Sequence, residues 1–181
     1  PEPVFAEGNP GAVLQAAFDA LSSGDAPVLA LVVETEGSTY ASTGALALFG
    51  DGPHVGWLSG GCLEPEIARV ASVAGEAGRI EWLEIDTTDD SALFSGSAVG
   101  CRGRQMLALV PLAALSNAGD VLAAWLDGGQ ALDITLARSG RIDCRLDTRA
   151  WSWTLPVGAV PQGATRDWTS TVQRAPEVLI L

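Results

Sequence analysis

One apolar stretch constrains the fold of this chain more than any other feature. The sequence APVLALVVET (26–35) is continuously apolar and rich in β-branched residues, which is typical of a central strand buried on both faces. Other elements must cover such a strand. Helical spacing occurs at 10–23, after Cys62 and from Asp120, and the helix after Cys62 carries an apolar face of Ile67, Val70, Ala71 and Ala74. Strand-like patterns occur at 79–85, 104–112 and 131–155, and a β-hairpin is predicted over 45–59. We therefore expect an α/β protein with a mixed sheet and flanking helices.

The character of the sequence changes after residue 155. Residues 1–155 are expected to form one domain, whereas 156–175 carry Gly, Pro and Thr throughout, as a linker or surface wrap does. The final stretch, PEVLIL (176–181), again has the composition of a buried strand. We expect a further domain to begin at this strand.

The charge balance excludes several classes of function. Acidic residues number 22 against 10 basic ones, the formal net charge is −12, and every basic residue is an arginine. Such a chain repels nucleic-acid phosphates and anionic membranes, and without lysine it has no Schiff-base or Walker-type chemistry. His54 is the single histidine, which restricts triads and multi-histidine metal sites. No run of about 18 apolar residues and no signal-like N-terminus is present, so we expect a cytoplasmic protein.

The stretch GWLSGGCLEPEIARVA (56–71) places a cysteine where a loop becomes a helix. Pro65 fits the first helical turn, so Cys62 lies at or just before the helix N-terminus. Free backbone N–H groups and the positive end of the helix dipole attract anionic ligands there, while Gly60 and Gly61 allow close backbone approach. A second interpretation stays open from spacing alone, in which Cys62 is a small buried apolar residue.

Two further segments are candidates for ligand contact. The loop EGSTYASTG (36–44) offers hydroxyl and backbone donors that could cradle an oxyanion or a polar heterocycle, or it could be a solvated connection. In GCRGR (100–104), Cys101 has Arg102 and Arg104 as neighbours, which suits a phosphate contact or a solvated strand start. Cys144 alternates with charged residues in RIDCRLD and is expected to pack into a sheet face.

Together these motifs resemble a known family. The stretch 31–71 resembles the N-terminal domain of the XdhC/CoxI family, accessory proteins of molybdenum hydroxylases such as xanthine and carbon monoxide dehydrogenases. VGCRGRQMLALVPL (99–112) is similar to a later segment of the family. The chain departs from the pattern at Tyr40 and Ser42, where prolines are usual, and at Arg102, where a glycine is expected.

The resemblance implies a cofactor chaperone rather than an enzyme. Such a protein binds and protects the molybdenum cofactor (molybdopterin) and helps its sulfurated form to reach a xanthine dehydrogenase-type apo-enzyme. Cys62 would contact molybdenum through the cofactor. The residues implied in cofactor binding are Gly37, Ser38, Thr39, Gly44, Ser59, Gly60, Gly61, Cys62, Glu64, Cys101, Arg102 and Arg104.

The resemblance also implies partners and a second domain. The partners are the molybdenum hydroxylase apo-enzyme and a cysteine desulfurase-type sulfur donor, and family members are often homodimers. Residues 176–181 resemble the first strand of the family's C-terminal Rossmann domain, which would bind a nucleotide. Two alternatives remain: a sulfur-transfer or redox enzyme with Cys62 as nucleophile, and a non-catalytic module whose acidic surface docks the target enzyme.

Overall fold

The computed structural model of the protein describes residues 10–88, 102–162 and 167–174. The described helices are α1 (Pro10–Ser22), α2 (Glu64–Ala77) and α3 (Ala118–Leu126), and a 3₁₀ turn spans Leu112–Ala114. The described strands are β1 (Val28–Gly37), β2 (Leu46–Phe49), β3 (Glu81–Asp86), β4 (Gly103–Pro111), β5 (Ala131–Leu136), β6 (Arg141–Leu146), β7 (Arg149–Thr154) and β8 (Trp168–Gln173).

The first sheet has the order β2-β1-β4-β3, with every neighbouring pair antiparallel. β1 lies inside this sheet, and its first six residues are all buried. Alternate side chains enter different cores: Ala30 and Val32 pack on the α2 side, whereas Leu29 and Leu31 face the second sheet. Burial of both faces explains the continuous apolar run and confirms the predicted central strand.

The second sheet has the order β7-β6-β5-β8 and is also antiparallel. Apolar residues alternate along β5 and β6, and the inward set packs with α1, α3 and the first sheet in one core. Cys144 belongs to this inward set, as predicted, and burial raises the pKa of its thiol to about 12. This cysteine is a core residue.

The predicted α/β class is confirmed, but the described strands form two antiparallel sheets instead of one mixed sheet. The connections explain the difference. Residues 137–140 join β5 to β6, and residues 147–148 join β6 to β7. Turns this short can link only antiparallel neighbours, because a parallel pair needs a crossover of about a dozen residues.

The irregular chain predicted over 156–175 contains a strand. β8 pairs with β5 along its whole length, with Trp168 opposite Leu136 and Val172 opposite Leu132. Both of these β8 side chains are buried, and the intervening residues are polar, so a short alternating pattern was hidden among Gly, Pro and Thr. Arg174 follows the strand and donates to the carbonyl oxygens of Leu126 (3.2 Å) and Gly129 (2.8 Å). The proposed Rossmann strand at 176–181 lies outside the described residues.

Two other expectations concern the elements beside the site. The apolar face predicted for the second helix is confirmed, because Ile67, Val70, Ala71 and Ala74 of α2 are buried. The hairpin predicted over 45–59 is reduced to β2 and one bridge, Leu48 to Val55. Gly56 follows this bridge at φ +87° and lies close to β2, since a Cβ there would be 2.7 Å from the Leu46 carbonyl oxygen. No described helix has the length and apolarity needed to cross a membrane.

Candidate functional site

The loop before α2 is held by the first residue of that helix. Glu64, the first residue of α2, is 4% exposed and accepts hydrogen bonds from the backbone N–H groups of Leu58 (3.2 Å) and Ser59 (2.9 Å). The Ser59 hydroxyl also donates to this carboxylate and accepts from the Leu63 N–H at 3.1 Å. Because Ser59 and Glu64 are buried and bonded to each other, they fix the conformation of the loop.

The tip of this loop is exposed. Gly60, Gly61 and Cys62 all face solvent, and the Cys62 thiol is free. Gly61 has a φ of +97°, a conformation that favours glycine, and the nearest atom to a Cβ added there belongs to the ring of Trp57 at 3.7 Å. Cys62 stands two residues before the first residue of α2. The structure thus contradicts the buried interpretation of Cys62.

The second predicted loop is attached to the first sheet by close backbone contact. Gly37 has a φ of +73°, and a Cβ there would lie 2.7 Å from the carbonyl oxygen of Arg102. The Ser38 N–H donates to the same oxygen at 3.1 Å. A Cβ on Gly103 would likewise clash with the carbonyl of Ser38. The glycines at the end of β1 and the start of β4 therefore serve the pairing of these strands.

Two of the loop's hydroxyl groups, those of Thr39 and Thr43, bond within the loop or to β1. Thr39 donates through Oγ1 to the carbonyl oxygen of Ala41 at 2.8 Å, and the hydroxyls of Thr35 and Thr43 lie 3.3 Å apart. Gly44, at φ +94°, donates its N–H to the Val32 carbonyl at 2.8 Å. These contacts shape the loop rather than cradle an anion. Thr39 is the residue of this loop that also reaches the pocket beside Cys62, together with its neighbour Tyr40.

A small pocket lies where the two loops meet the first sheet. Its volume is about 30 Å³, enough for a water molecule or two. Its described lining residues are Thr39, Tyr40, Ser59, Gly60, Cys62, Leu63, Ile85, Thr87, Gly103 and Gln105. A ligand larger than one water would place only an edge inside and would rest on the exposed Cys62 and Tyr40 outside.

Gln105 is a site residue that was missed in the sequence. It is 5% exposed, its Nε2 donates to the carbonyl oxygen of Leu58 at 3.1 Å, and its Oε1 is buried with no hydrogen-bond partner in the described structure. The signal was a polar residue on the inward face of β4, in phase with the buried Leu107 and Leu109. Such a residue in an apolar alternation marks a special environment.

Arg104 lies on the opposite face of β4 from Gln105, because neighbouring residues on a strand alternate. Its guanidinium binds Glu84 at 3.0 Å and Glu36 at 3.5 Å, and the hydrogen bond to Glu84 raises its pKa. Arg104, which was expected to contact a phosphate, is therefore not part of the pocket beside Cys62. Arg102 is exposed just before β4, and Cys101 lies outside the described residues.

The site lacks an obvious protein-only metal centre. Within residues 10–88, 102–162 and 167–174, no group of three or more His, Cys, Asp or Glu side chains could hold a metal ion. His54 packs between the rings of Phe49 (5.4 Å between centroids) and Trp57 (4.6 Å). The described site therefore offers one exposed sulfur and one unpaired amide oxygen, which suits contact with a soft atom and with an N–H group.

Comparison with known proteins shows which family part of the chain resembles. Residues 11–86 match the XdhC and CoxI family. The matched range includes the loop 36–44 and the Ser59–Glu64 signature, so the resemblance is confirmed there. The similarity over 99–112 lies beyond the matched range and stays a prediction.

Two relatives extend the comparison. Over 77 residues the chain is 36% identical to a probable xanthine dehydrogenase subunit from Bacillus subtilis, covering 42% of this chain but only 23% of that protein. A solved structure of a protein described as a xanthine dehydrogenase, from Bacillus halodurans, has the same fold, with a TM-score of 0.68 at 21% identity. That similarity covers 88% of this chain and 52% of the other. The chain thus spans about half or less of each relative.

Proposed function

We propose that this chain is the cofactor-binding part of an accessory protein for a molybdenum hydroxylase. It would bind the molybdenum cofactor beside Cys62, protect it, and assist its sulfuration and insertion into a xanthine dehydrogenase-type enzyme. The observation that carries this proposal is the exposed Cys62 thiol, held at a fixed loop tip inside the segment that matches the XdhC and CoxI family. The names of the two relatives support the same class of target enzyme.

The residues fit this cofactor in part. An exposed thiol suits a soft metal, and the unpaired Gln105 Oε1 suits an N–H edge of a pterin. Arg104 does not contribute, because its guanidinium is bound to Glu84 and Glu36 on the other face of the sheet. When bound, the cofactor would supply molybdenum as a centre that accepts sulfur ligands.

The chain's own contribution is positioning. Glu64 and Ser59 hold the loop so that Cys62 stays at the mouth of the pocket, and Gly60 and Gly61 leave room for a ligand above the backbone. Because Cys62 is exposed, a partner protein such as the apo-enzyme or a cysteine desulfurase-type sulfur donor could reach it.

The direct test is retention of released molybdenum cofactor by the purified chain. Wild type should retain molybdenum and pterin together through gel filtration, and Cys62→Ala should lose most of both. Cys144→Ala is the matched control, because it removes the same side chain from the core of the second sheet and should leave retention unchanged. Equal retention of molybdenum and pterin by wild type and Cys62→Ala would show that Cys62 does not bind the cofactor.

A further inference from the structure

The pocket beside Cys62 contains one buried polar atom whose hydrogen-bonding capacity is unused. Ser59 bonds to Glu64, Thr39 bonds to Ala41, and the hydroxyl of Thr87 donates to the Gly103 carbonyl at 2.9 Å. Gln105 Oε1 alone among the buried side-chain atoms of the described pocket lining has no partner. Buried polar groups are nearly always hydrogen-bonded, so an unpaired acceptor inside a pocket marks a place where a water molecule or a ligand group can donate.

The orientation of the Gln105 side-chain amide is fixed by the hydrogen bond that its Nε2 donates. Nε2 donates to the Leu58 carbonyl at 3.1 Å, and rotating the amide would set two acceptor oxygens against each other. Leu58 is itself held, since its N–H donates to Glu64. The free atom is therefore a rigid acceptor, and its complement must be a donor.

The pocket also discriminates against anionic groups. Its described lining has no arginine or histidine, and the carboxylate of Glu64 lies directly behind Ser59. An amide oxygen repels the oxygens of a phosphate but accepts readily from an amide or amino N–H. A volume of about 30 Å³ admits the edge of a planar ring, with the rest of that ring against the exposed Tyr40 and Cys62.

We propose that Gln105 selects the ligand of this pocket, its Oε1 accepting a hydrogen bond from a ring N–H or exocyclic amino group of a pterin-type heterocycle. The inference rests on the proposed function and adds the atom that recognises the organic part of the cofactor. Cys62 would then contact the metal-bearing end, and Gln105 the heterocycle edge.

The test compares ligand discrimination in two proteins. Free pterin, 2-deaminopterin (without the amino group) and N3-methylpterin (without the ring N–H) are titrated against wild type and Gln105→Met, following pterin fluorescence. In wild type, at least one analogue should bind about tenfold more weakly than pterin, as expected for a buried acceptor left unpaired. In Gln105→Met, which keeps the side-chain length without the amide, that difference should shrink to about twofold or less.

A purely structural role for Gln105 would weaken all three ligands equally, so unchanged discrimination in Gln105→Met overturns the inference and leaves the proposed function standing. Wild type that binds none of the three ligands also overturns it, while retention of the complete cofactor, tested separately with Cys62→Ala, decides the proposed function. If Gln105→Met fails to fold, the side-chain carbonyl ¹³C resonance of Gln105 is followed in wild type. It should move on addition of pterin, and an unmoved resonance at saturation overturns the inference.

Discussion

Two cysteines in this chain occupy opposite environments. Cys62 stands on a glycine-rich loop tip, exposed and just ahead of α2, whereas Cys144 lies in the middle of β6 with its side chain in the core. Burial raises the pKa of the Cys144 thiol to about 12, which keeps it protonated and inert. The backbone around each thiol therefore decides its reactivity. A glycine-rich loop exposes Cys62, whereas the alternation of side chains along β6 buries Cys144.

The largest expected effect is a difference in thiol reactivity, which tests directly whether Cys62 is exposed and Cys144 is buried. In the native protein, iodoacetamide at pH 8 should modify Cys62 about a thousandfold faster than Cys144, because Cys144 reacts only after the second sheet opens. Peptide mapping by mass spectrometry separates the sites. In urea the two rates should converge, and comparable native rates would contradict the buried position of Cys144.

A smaller effect is expected from loosening the loop while leaving the second sheet intact. Glu64→Ala should lower the free energy of unfolding by about 3 kcal/mol, because it leaves the buried N–H groups of Leu58 and Ser59 without partners. Urea unfolding measures the change. Glu66→Ala, two positions further along the same helix, is the matched control and should be nearly neutral, because it removes only a surface ion pair with Arg69. A neutral Glu64→Ala would mean that the loop is not held by this carboxylate.

The smallest effect concerns the two glycines beside Cys62. Gly61→Ala should cost about 1 kcal/mol, because an alanine at φ +97° is strained even though the nearest atom, in the Trp57 ring, is 3.7 Å away. Gly60→Ala should be close to neutral, since nothing lies within 4 Å of an added Cβ and its φ is not in the left-handed region. Thermal unfolding of both variants measures the difference, and equal costs would argue against strain at Gly61.

The parts of the molecule that follow local rules were predictable from the sequence. The apolar run of β1, the apolar face of α2 and the alternation around Cys144 all reflect burial patterns with the period of their own element. The loop position of Cys62 was also predictable, because Gly60 and Gly61 favour a loop and Pro65 favours the first turn of a helix. The resemblance to a known family then indicated that the loop at 36–44 belongs to the same motif as the Cys62 loop.

The side-chain contacts that build the site were not predictable from the sequence. Glu64 belongs to the motif, but nothing in the motif indicates that its carboxylate turns inward to Leu58 and Ser59. Gln105 becomes a pocket residue only because β4 carries it to a loop 47 positions away in sequence. Arg104, its neighbour in sequence, lies on the opposite face of β4, because side chains alternate along a strand once the register is fixed. The register and the pairing of distant strands depend on packing across the whole core, so a single sequence motif does not predict them.

The hydrogen bonds of Glu64 also bear on the order in which the site assembles. They span five and six residues, a separation that an unfolded chain closes within about 100 ns, and they need no contact with the sheet. The contact between Gln105 and Leu58 spans 47 residues and must wait for β4 to find β1. We therefore expect the Cys62 loop and α2 to form early as a local unit, and the pocket to be completed by a late, cooperative docking of β4.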